Sequence, residues 1–386
     1  MGDDSLYTED YIDSPTEDLM MISVDDLAGN DNSSEANKAN KTKRTRKTKR
    51  AKKTTQKLTF KTVIARIGIV LGSTLLMTLL FLLAVIFVLI KGPSVQARKL
   101  FTLSAYETSA IKWLPKLFMT TAQYDEIVNP SSAVDDYREL PMVAASSGES
   151  QADEGLIITE PIEIMDIKGG TYQGKLMIVH DPSKVFFGSI DSFGHVGLKL
   201  TEFIDKYGAI ACTNAGGFED EGGTGKGGIP DGIVIRDGAI AYGSQSATYR
   251  GLAGFDADHV LHVGDMTGQQ ALDLGIISGT NFSGGPVLIK DGVRENGFVS
   301  GINPRTAIGQ REDGAVLLLA LEGRMADSLG ATFEDLTDIM QEYGAVNAVN
   351  MDGGSSSGMY YRGERITRSC SVVGDRPLPT AIIVME

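Results

Sequence analysis

The chain has 386 residues, of which 36 are Lys or Arg and 50 are Asp or Glu, so its formal net charge at pH 7 is −14. This length allows one large folded domain or two ordinary ones. The acidity excludes nucleic-acid binding through bulk charge, because a net negative surface repels a phosphate backbone.

The first 61 residues separate their charges into two blocks. Residues 1–37 hold eleven acidic side chains and no Lys or Arg, whereas residues 38–61 hold twelve basic side chains and no acid. Such a polar segment predicts a disordered cytoplasmic tail, 1–61. The basic block alone suggests a nucleic-acid arm, but the segment that follows makes a topology signal the better interpretation.

Residues 62–91 are predicted to be a transmembrane signal-anchor helix. From Ile67 to Ile90 there are 24 residues without a charge, enough to span a bilayer with some tilt. Positive charges concentrated before the span predict a cytoplasmic N-terminus and an extracellular C-terminal domain, a single-pass type II topology in the cell membrane. The small residues at 95–97 suggest a cleaved signal peptide as the alternative, but the apolar region is too long for one.

The chain after the span divides into three parts. Residues 92–128 have apolar side chains at roughly helical spacing and predict a juxtamembrane amphipathic helix, interrupted at Pro115, whose apolar face packs on the membrane or on the domain. Residues 129–155 have linker composition. The folded domain is expected over residues 156–386.

This domain is predicted to be α+β, a single extracytoplasmic domain rich in antiparallel hairpins with a few packed helices. Asp-Gly pairs at 237–238, 291–292 and 313–314 each stand between apolar runs and predict hairpin turns. A helix after residue 332 has Thr332 as its N-cap, Asp335 three residues on and Gly344 as its stop.

Polar, glycine-bearing turns recur at the ends of the apolar strands. Glycine at such places lets the backbone approach a ligand. On five of these turns the chain resembles the phosphodiester glycosidase family, over roughly residues 160–386. The matching motifs are NAGGF (214–218), SGGP (283–286), RTAIG (305–309), NMDGG (350–354) and RP (376–377).

Two positions depart from the pattern of this family. Ser355 stands where a third glycine is usual after the aspartate, and Glu322 replaces the aspartate of an Asp-Gly-Arg motif. The longer side chain leaves the role of Glu322 open.

The resemblance implies cleavage of a sugar from an anomeric phosphodiester, which needs a carboxylate near the anomeric carbon and groups that bind phosphate. Asp352, which ends a buried strand, is the first candidate for the catalytic carboxylate, with capping of its own turn as the alternative. Glu322 is the second candidate, with an ion pair to Arg324 as the alternative. Because phosphate is a good leaving group, one carboxylate can suffice.

The remaining motif residues are candidates for substrate binding. Arg305 and Arg376 offer forked donors to phosphate oxygens, or else form surface ion pairs. Asn214 either hydrogen-bonds substrate or shapes a turn, and the hydroxyl groups of Ser355 and Ser356 are donors rather than nucleophiles. The expected substrate-binding set is Asn214, Gly216, Gly217, Gly285, Arg305, Thr306, Gly353, Gly354, Ser355, Ser356 and Arg376.

Other chemistries find little support in the sequence. Serine-histidine catalysis is not expected, because the four histidines lie outside the motifs and no G-x-S-x-G elbow occurs. No metal-binding spacing occurs, so no metal or other cofactor is expected, although a scattered calcium site stays open. Residues 219–228 lack the ending of a P-loop and predict a mobile flap beside the site.

Cys212 and Cys370 are the two cysteines of the chain. Both are expected outside the membrane, where a disulfide can form, and each lies near a family motif. A bridge between them and two free thiols are both open.

The sequence therefore predicts a membrane-anchored extracytoplasmic hydrolase that cleaves a sugar-1-phosphodiester in a surface glycan, wall polymer or glycolipid. The alternative is a non-catalytic glycan-binding or exopolysaccharide-assembly protein of the cell envelope, suggested by the serine at position 355. The expected partners are a phosphoglycan or glycolipid substrate and the membrane, with no nucleic acid.

Overall fold

A computed structural model describes residues 60–129, 160–220, 223–371 and 374–386. The predicted tail lies outside these ranges except for its last two residues, and the predicted linker lies outside them except for Asn129. Residues Ile67–Glu386 form one compact unit.

The described residues contain six α-helices. The first is long and apolar enough to cross a membrane, in agreement with the predicted span. The helices are α1 (Phe60–Lys91), α2 (Val95–Tyr106), α3 (Thr121–Val128), α4 (Leu200–Tyr207), α5 (Gly268–Asp273) and α6 (Phe333–Glu342).

The juxtamembrane segment differs from the predicted helix interrupted at Pro115. Helix α2 already ends at Tyr106, and Pro115 begins a short 3-10 turn before α3. The side chain of Glu107, the residue after α2, accepts a hydrogen bond from the backbone N–H of Gly301, so it turns toward the domain. Ile90, Met119 and Tyr124 form a small apolar cluster that joins the end of α1 to this segment.

Seventeen strands follow in the described residues. They are β1 (Ile162–Lys168), β2 (Gln173–Val179), β3 (Val185–Ser189), β4 (Ala211–Asn214), β5 (Val234–Arg236), β6 (Ala239–Tyr242), β7 (Thr248–Phe255), β8 (Leu261–Thr267), β9 (Ser278–Thr280), β10 (Val287–Lys290), β11 (Val293–Arg294), β12 (Arg305–Arg311), β13 (Val316–Leu321), β14 (Ala345–Met351), β15 (Met359–Tyr361), β16 (Glu364–Arg365) and β17 (Thr380–Val384).

The strands form three antiparallel sheets. Their orders are β1-β2-β13-β12-β14-β10-β11, β16-β15-β4-β17-β3 and β6-β5-β9-β7-β8. The inner faces of the sheets share one apolar core. Helix α6 covers the outer face of the first sheet, and α4 covers the second. Strand β13 is therefore buried along its whole length, which explains its unbroken apolar sequence.

The structure confirms the α+β class and its local signals. Asp237 and Gly238 have φ of 53° and 71°, as a type I′ hairpin turn requires. The hydroxyl of Thr332 accepts a hydrogen bond from the backbone N–H of Asp335, whose carboxylate accepts one from the N–H of Thr332, so α6 begins with a capping box.

Candidate functional site

A cleft of about 1050 Å³ opens where β12 begins and the antiparallel strand β14 ends. Asp352 lies in it directly after β14. The predicted site residues that line it are Arg305, Asp352, Gly353, Gly354, Ser355, Ser356 and Arg376. The other predicted residues lie behind this surface.

The turn after β14 is held against neighbouring backbone. The Asp352 N–H donates to the carbonyl of Ala215 at 2.9 Å, and the Gly354 N–H donates to that of Pro304 at 2.9 Å. Gly354 has a φ of 61°, which favours glycine, and a Cβ on Gly353 would lie 2.6 Å from the Pro304 oxygen. Ser355 has no positive φ. The serine at position 355 is thus compatible with the turn.

Asp352 has an unusual electrostatic environment. Its side chain is partly open to the cleft, yet the enclosing protein raises its pKa to about 7, with a further upward contribution from the negative charge of Asp231. Hydrogen bonds from Ser356 and from the Gly353 N–H, 2.8 Å from Oδ1, favour the charged form and limit the rise. The carboxyl group can therefore exchange a proton near neutral pH.

Asp231 was not predicted as a site residue. Its Oδ2 accepts a hydrogen bond from the hydroxyl of Ser283 at 2.8 Å, whereas its buried Oδ1 has no hydrogen-bond partner among the described residues. Burial raises its pKa. A second carboxyl group with a perturbed pKa thus lies near Asp352. Its signal was a Pro-Asp-Gly turn before an apolar strand, which also occurs in ordinary loops.

The glycines of the motifs let backbone approach the site. A Cβ on Gly217 would lie 2.4 Å from Oδ2 of Asp231, and one on Gly216 would lie 2.4 Å from the hydroxyl of Thr280. A Cβ on Gly285 would lie 2.6 Å from the carbonyl oxygen of Asn350. These glycines shape the site by their size and lie behind the cleft surface.

Asn214 and Thr306 brace the turn from behind. The Asn214 amide donates to the Asp352 carbonyl at 2.6 Å and accepts from the Thr306 hydroxyl at 2.8 Å. Both side chains are fully buried. This arrangement favours the turn-shaping alternative for Asn214, and binding of substrate by either residue stays a prediction.

The two predicted phosphate ligands already have partners. Arg305 is buried, its Nη2 lies 2.6 Å from a carboxylate oxygen of Glu107, and its Nε donates to a backbone carbonyl. Arg376 forms a two-pronged pair with Asp220 at 2.6 and 2.7 Å and also donates to the carbonyl of Gly225. The described part of the predicted flap, 219–228, is thus tied to Arg376 at these two residues.

Two other arginines offer donors to the cleft. Arg324 donates to Asn303 and Thr108, while its Nη1 makes no hydrogen bond to a described residue. The enclosing protein lowers its pKa, but a guanidinium stays charged at neutral pH. Arg250 is exposed at the rim, and the described residues provide no partner for its guanidinium. The sequence predicts Arg324 only as an alternative partner of Glu322.

Glu322 lies behind the cleft. Its two carboxylate oxygens accept from the backbone N–H and from Nε of Arg368, both at 2.7 Å. The ion pair expected with Arg324 is therefore formed with Arg368 instead. A catalytic role for Glu322 stays a prediction that this placement does not favour.

The bridge between Cys212 and Cys370 is not formed, because both thiols are free. Cys212 is buried in β4 with its Sγ 3.3 Å from the carbonyl of Leu200, whereas Cys370 lies over the carbonyl of Gly354. Burial raises the pKa of Cys212 to about 12. The two cysteines therefore belong to different surroundings.

The histidines lie outside the residues that line the cleft, and two of them pair with acids. His180 contacts Glu163 at 2.7 Å, and His262 contacts Asp256 at 2.8 Å. Within the described ranges no group of three His, Cys, Asp or Glu side chains is placed to hold a metal ion.

Residues 207–385 match the family model for phosphodiester glycosidase. The SPbeta prophage-derived uncharacterized protein YomE of Bacillus subtilis (strain 168) is 26% identical over 198 residues, which make up 48% of this chain and 29% of that protein. The chain thus spans less than a third of the length of this relative.

Two solved structures are similar to parts of this chain. The zebrafish N-acetylglucosamine-1-phosphodiester alpha-N-acetylglucosaminidase catalytic domain, auto-inhibited by its pro-peptide, has a TM-score of 0.48 and 20% identity, covering 58% of this chain and 82% of its own. A putative exported protein from Burkholderia pseudomallei K96243 has a TM-score of 0.39 and 16% identity, covering 56% and 74%.

The matched range includes all five motifs, at 214–218, 283–286, 305–309, 350–354 and 376–377. The resemblance predicted from these motifs is therefore confirmed, because residues 207–385 match the model of the phosphodiester glycosidase family.

Proposed function

We propose that this protein is a membrane-anchored extracytoplasmic hydrolase that cleaves a sugar-1-phosphodiester. The main support is that the carboxyl group of Asp352 and the guanidinium of Arg324 line the same cleft. The pKa of this carboxyl group is raised to about 7. A proton-exchanging group beside an anion-binding group is what hydrolysis of an anomeric phosphodiester needs.

In the proposed reaction, water attacks the anomeric carbon and the bond from that carbon to the phosphate oxygen breaks. The ionised Asp352 takes a proton from the water, and the phosphate monoester leaves with the bonding electron pair. Arg324, with Arg250 at the rim, binds the phosphate oxygens. Because phosphate leaves readily, this scheme needs no strong acid on the leaving group.

Helix α1 supports the anchoring part of the proposal. It contains the uncharged stretch from Ile67 to Ile90, and the basic block before it favours a cytoplasmic N-terminus. The domain would then meet phosphodiesters outside the cell, in a surface glycan, wall polymer or glycolipid.

The turn after β14 favours a protein that retains catalytic activity over a non-catalytic glycan-binding protein. Ser355 suggested lost turnover, but its backbone conformation does not require glycine and its side chain lines the cleft. The hydroxyl is available as an additional donor to substrate.

The experiment is a screen of sugar-1-phosphodiesters with the purified full chain in detergent, followed by proton NMR of the anomeric signals. The proposal expects release of a free reducing sugar from at least one diester. Binding of such diesters with no release from any of them would favour the glycan-binding alternative.

A further inference from the structure

One wall of the cleft comes from outside the family domain. Tyr106, Glu107 and Thr108, at the end of α2, line the cleft, whereas the family match begins at residue 207. The contact is close, because a Cβ on Gly301 would lie 2.2 Å from the backbone nitrogen of Ser104. The juxtamembrane segment is therefore packed into the site.

Glu107 makes the central contact of this wall. Its Oε1 accepts from the Gly301 N–H at 2.8 Å, and its Oε2 accepts from the Asn303 amide at 2.7 Å and from Nη2 of Arg305 at 2.6 Å. Arg305 also lies over the ring of Phe333, 4.1 Å from its centroid. The charge of Arg305 is thus neutralised by a residue 198 positions earlier in the chain.

The Glu107 carboxylate also orients the amide of Asn303. An ionised carboxylate only accepts hydrogen bonds, so it keeps the amide nitrogen on its own side. The amide oxygen then faces Arg324 and accepts from its Nε at 3.3 Å and its Nη2 at 3.0 Å. Glu107 therefore acts on Arg324 through Asn303.

Thr108 holds the same guanidinium from the other side, because its hydroxyl oxygen accepts from Nη2 of Arg324 at 2.7 Å. With Nε and Nη2 engaged, Nη1 lies beside the turn that carries Asp352, and a Cβ on Gly354 would be 3.2 Å from it. Arg324 has a φ of 58°, a conformation that non-glycine residues adopt only when their surroundings hold them.

We propose that Glu107 and Thr108 of the juxtamembrane segment are positioning residues that hold Arg324 in place to bind the phosphate of the substrate. This inference rests on the proposed function and adds that the family domain needs the juxtamembrane segment for its anion site. A segment that merely covered the cleft would have the opposite effect on phosphate binding.

The test measures the affinity of the full chain in detergent for inorganic phosphate, by titration followed with ³¹P NMR. Thr108→Val keeps the shape of the side chain and removes the acceptor, and a weakening of about tenfold is expected, since hydrogen bonds to charged groups are among the stronger ones. Thr108→Ser keeps the hydroxyl and should restore binding. Thermal unfolding of each variant establishes that it is folded.

Glu107→Gln separates positioning from charge. If charge alone mattered, removal of the negative charge of Glu107 would strengthen phosphate binding, because it removes a Coulomb repulsion. Loss of the fixed orientation of the Asn303 amide would instead weaken phosphate binding. We expect weaker binding, with Glu126→Gln, an exposed acid on α3, as a control that leaves it unchanged. With any diester that the wild type hydrolyses, both Thr108→Val and Glu107→Gln should raise KM far more than they lower kcat.

Unchanged or tighter phosphate binding in both variants would overturn the inference, and so would a wild-type chain that binds no phosphate. The proposed function is judged separately, by turnover. Wild-type hydrolysis of a diester together with unaffected variants would leave that function standing and remove only the role of the juxtamembrane segment.

Discussion

The carboxyl group of Asp231 lies close enough to that of Asp352 for its negative charge to raise the pKa of Asp352. The two residues adjoin strands of different sheets, since Asp231 precedes β5 and Asp352 follows β14. After the effect of burial, this like charge further disfavours the ionised form of Asp352. Asp231 therefore tunes the group on which the proposed reaction depends.

Replacement of Asp231 by Asn should lower the pH at which activity rises. Because the like charge is removed, the pKa of Asp352 falls toward its ordinary range, and the midpoint of the kcat/KM profile should move down by about one pH unit. Asp237→Asn is the matched control, since it removes an acid from the tip of the β5–β6 hairpin. A midpoint that stays in place or moves up would contradict the coupling.

The Asp352→Asn variant should change how stability depends on pH. The pKa of Asp352 is raised from 3.8 to about 7 in the folded chain, so the folded state binds this proton more tightly than the unfolded state. The resulting stabilisation is fully present below about pH 4 and is lost as the pH rises through about 7. The Asp352→Asn variant has no carboxyl group at this position, so its stability does not fall in this way as the pH rises.

Denaturant unfolding at several pH values measures the difference. From about pH 4 to pH 8, the free energy of unfolding of Asp352→Asn should increase relative to that of the wild type by on the order of 2 kcal/mol. This amount is already reduced because the cleft is open to solvent. Parallel curves for the two proteins would show that the pKa of Asp352 is not raised.

Substitution of Arg324 should weaken binding of the phosphodiester. Arg324→Gln removes the charge, and KM should rise by roughly 10- to 100-fold, since a charge-assisted hydrogen bond contributes about 1.5–3 kcal/mol. Arg362→Gln is a matched control, because Arg362 is also exposed and has a φ of 50°. Equal KM values for both variants would remove Arg324 from the phosphate site.

The cysteines should react as two separate free thiols. Cys370 is partly exposed and should be alkylated by iodoacetamide in the folded protein, whereas Cys212 is buried with a pKa of about 12 and should react only after unfolding. Mass spectrometry of peptides prepared without reductant counts the modified residues. Detection of a peptide linked through Cys212 and Cys370 would show that the disulfide forms after all.

The features predicted well from the sequence depend on residues near one another in the chain. The Asp-Gly turns and the capping box of α6 follow from local backbone preferences, and a glycine-rich motif fixes the path of a few residues wherever it occurs. The long apolar stretch of α1 is equally local. These signals sufficed for the fold class and for the choice of Asp352 as a candidate, a residue that does line the cleft.

The features that were missed depend on long-range contacts. Arg305 has the features of a phosphate ligand in the sequence, but it pairs with Glu107, 198 residues earlier in the chain. Glu322 pairs with Arg368, 46 residues later, and not with the nearby Arg324. Asp231 lies in an ordinary turn, and only its proximity to Asp352 identifies it as a residue that affects the site. Local pattern reveals which residues can carry charge, whereas tertiary packing decides which charges stay unpaired.

The most direct test of the proposed function is the turnover of a sugar-1-phosphodiester by the wild-type chain and by Asp352→Asn, followed by anomeric proton NMR. Asn has nearly the same shape but cannot accept the proton. We therefore expect release of reducing sugar by the wild type and a loss of at least about a hundredfold in kcat for the variant. A folded Asp352→Asn protein that hydrolyses the diester at the wild-type rate would contradict this expectation.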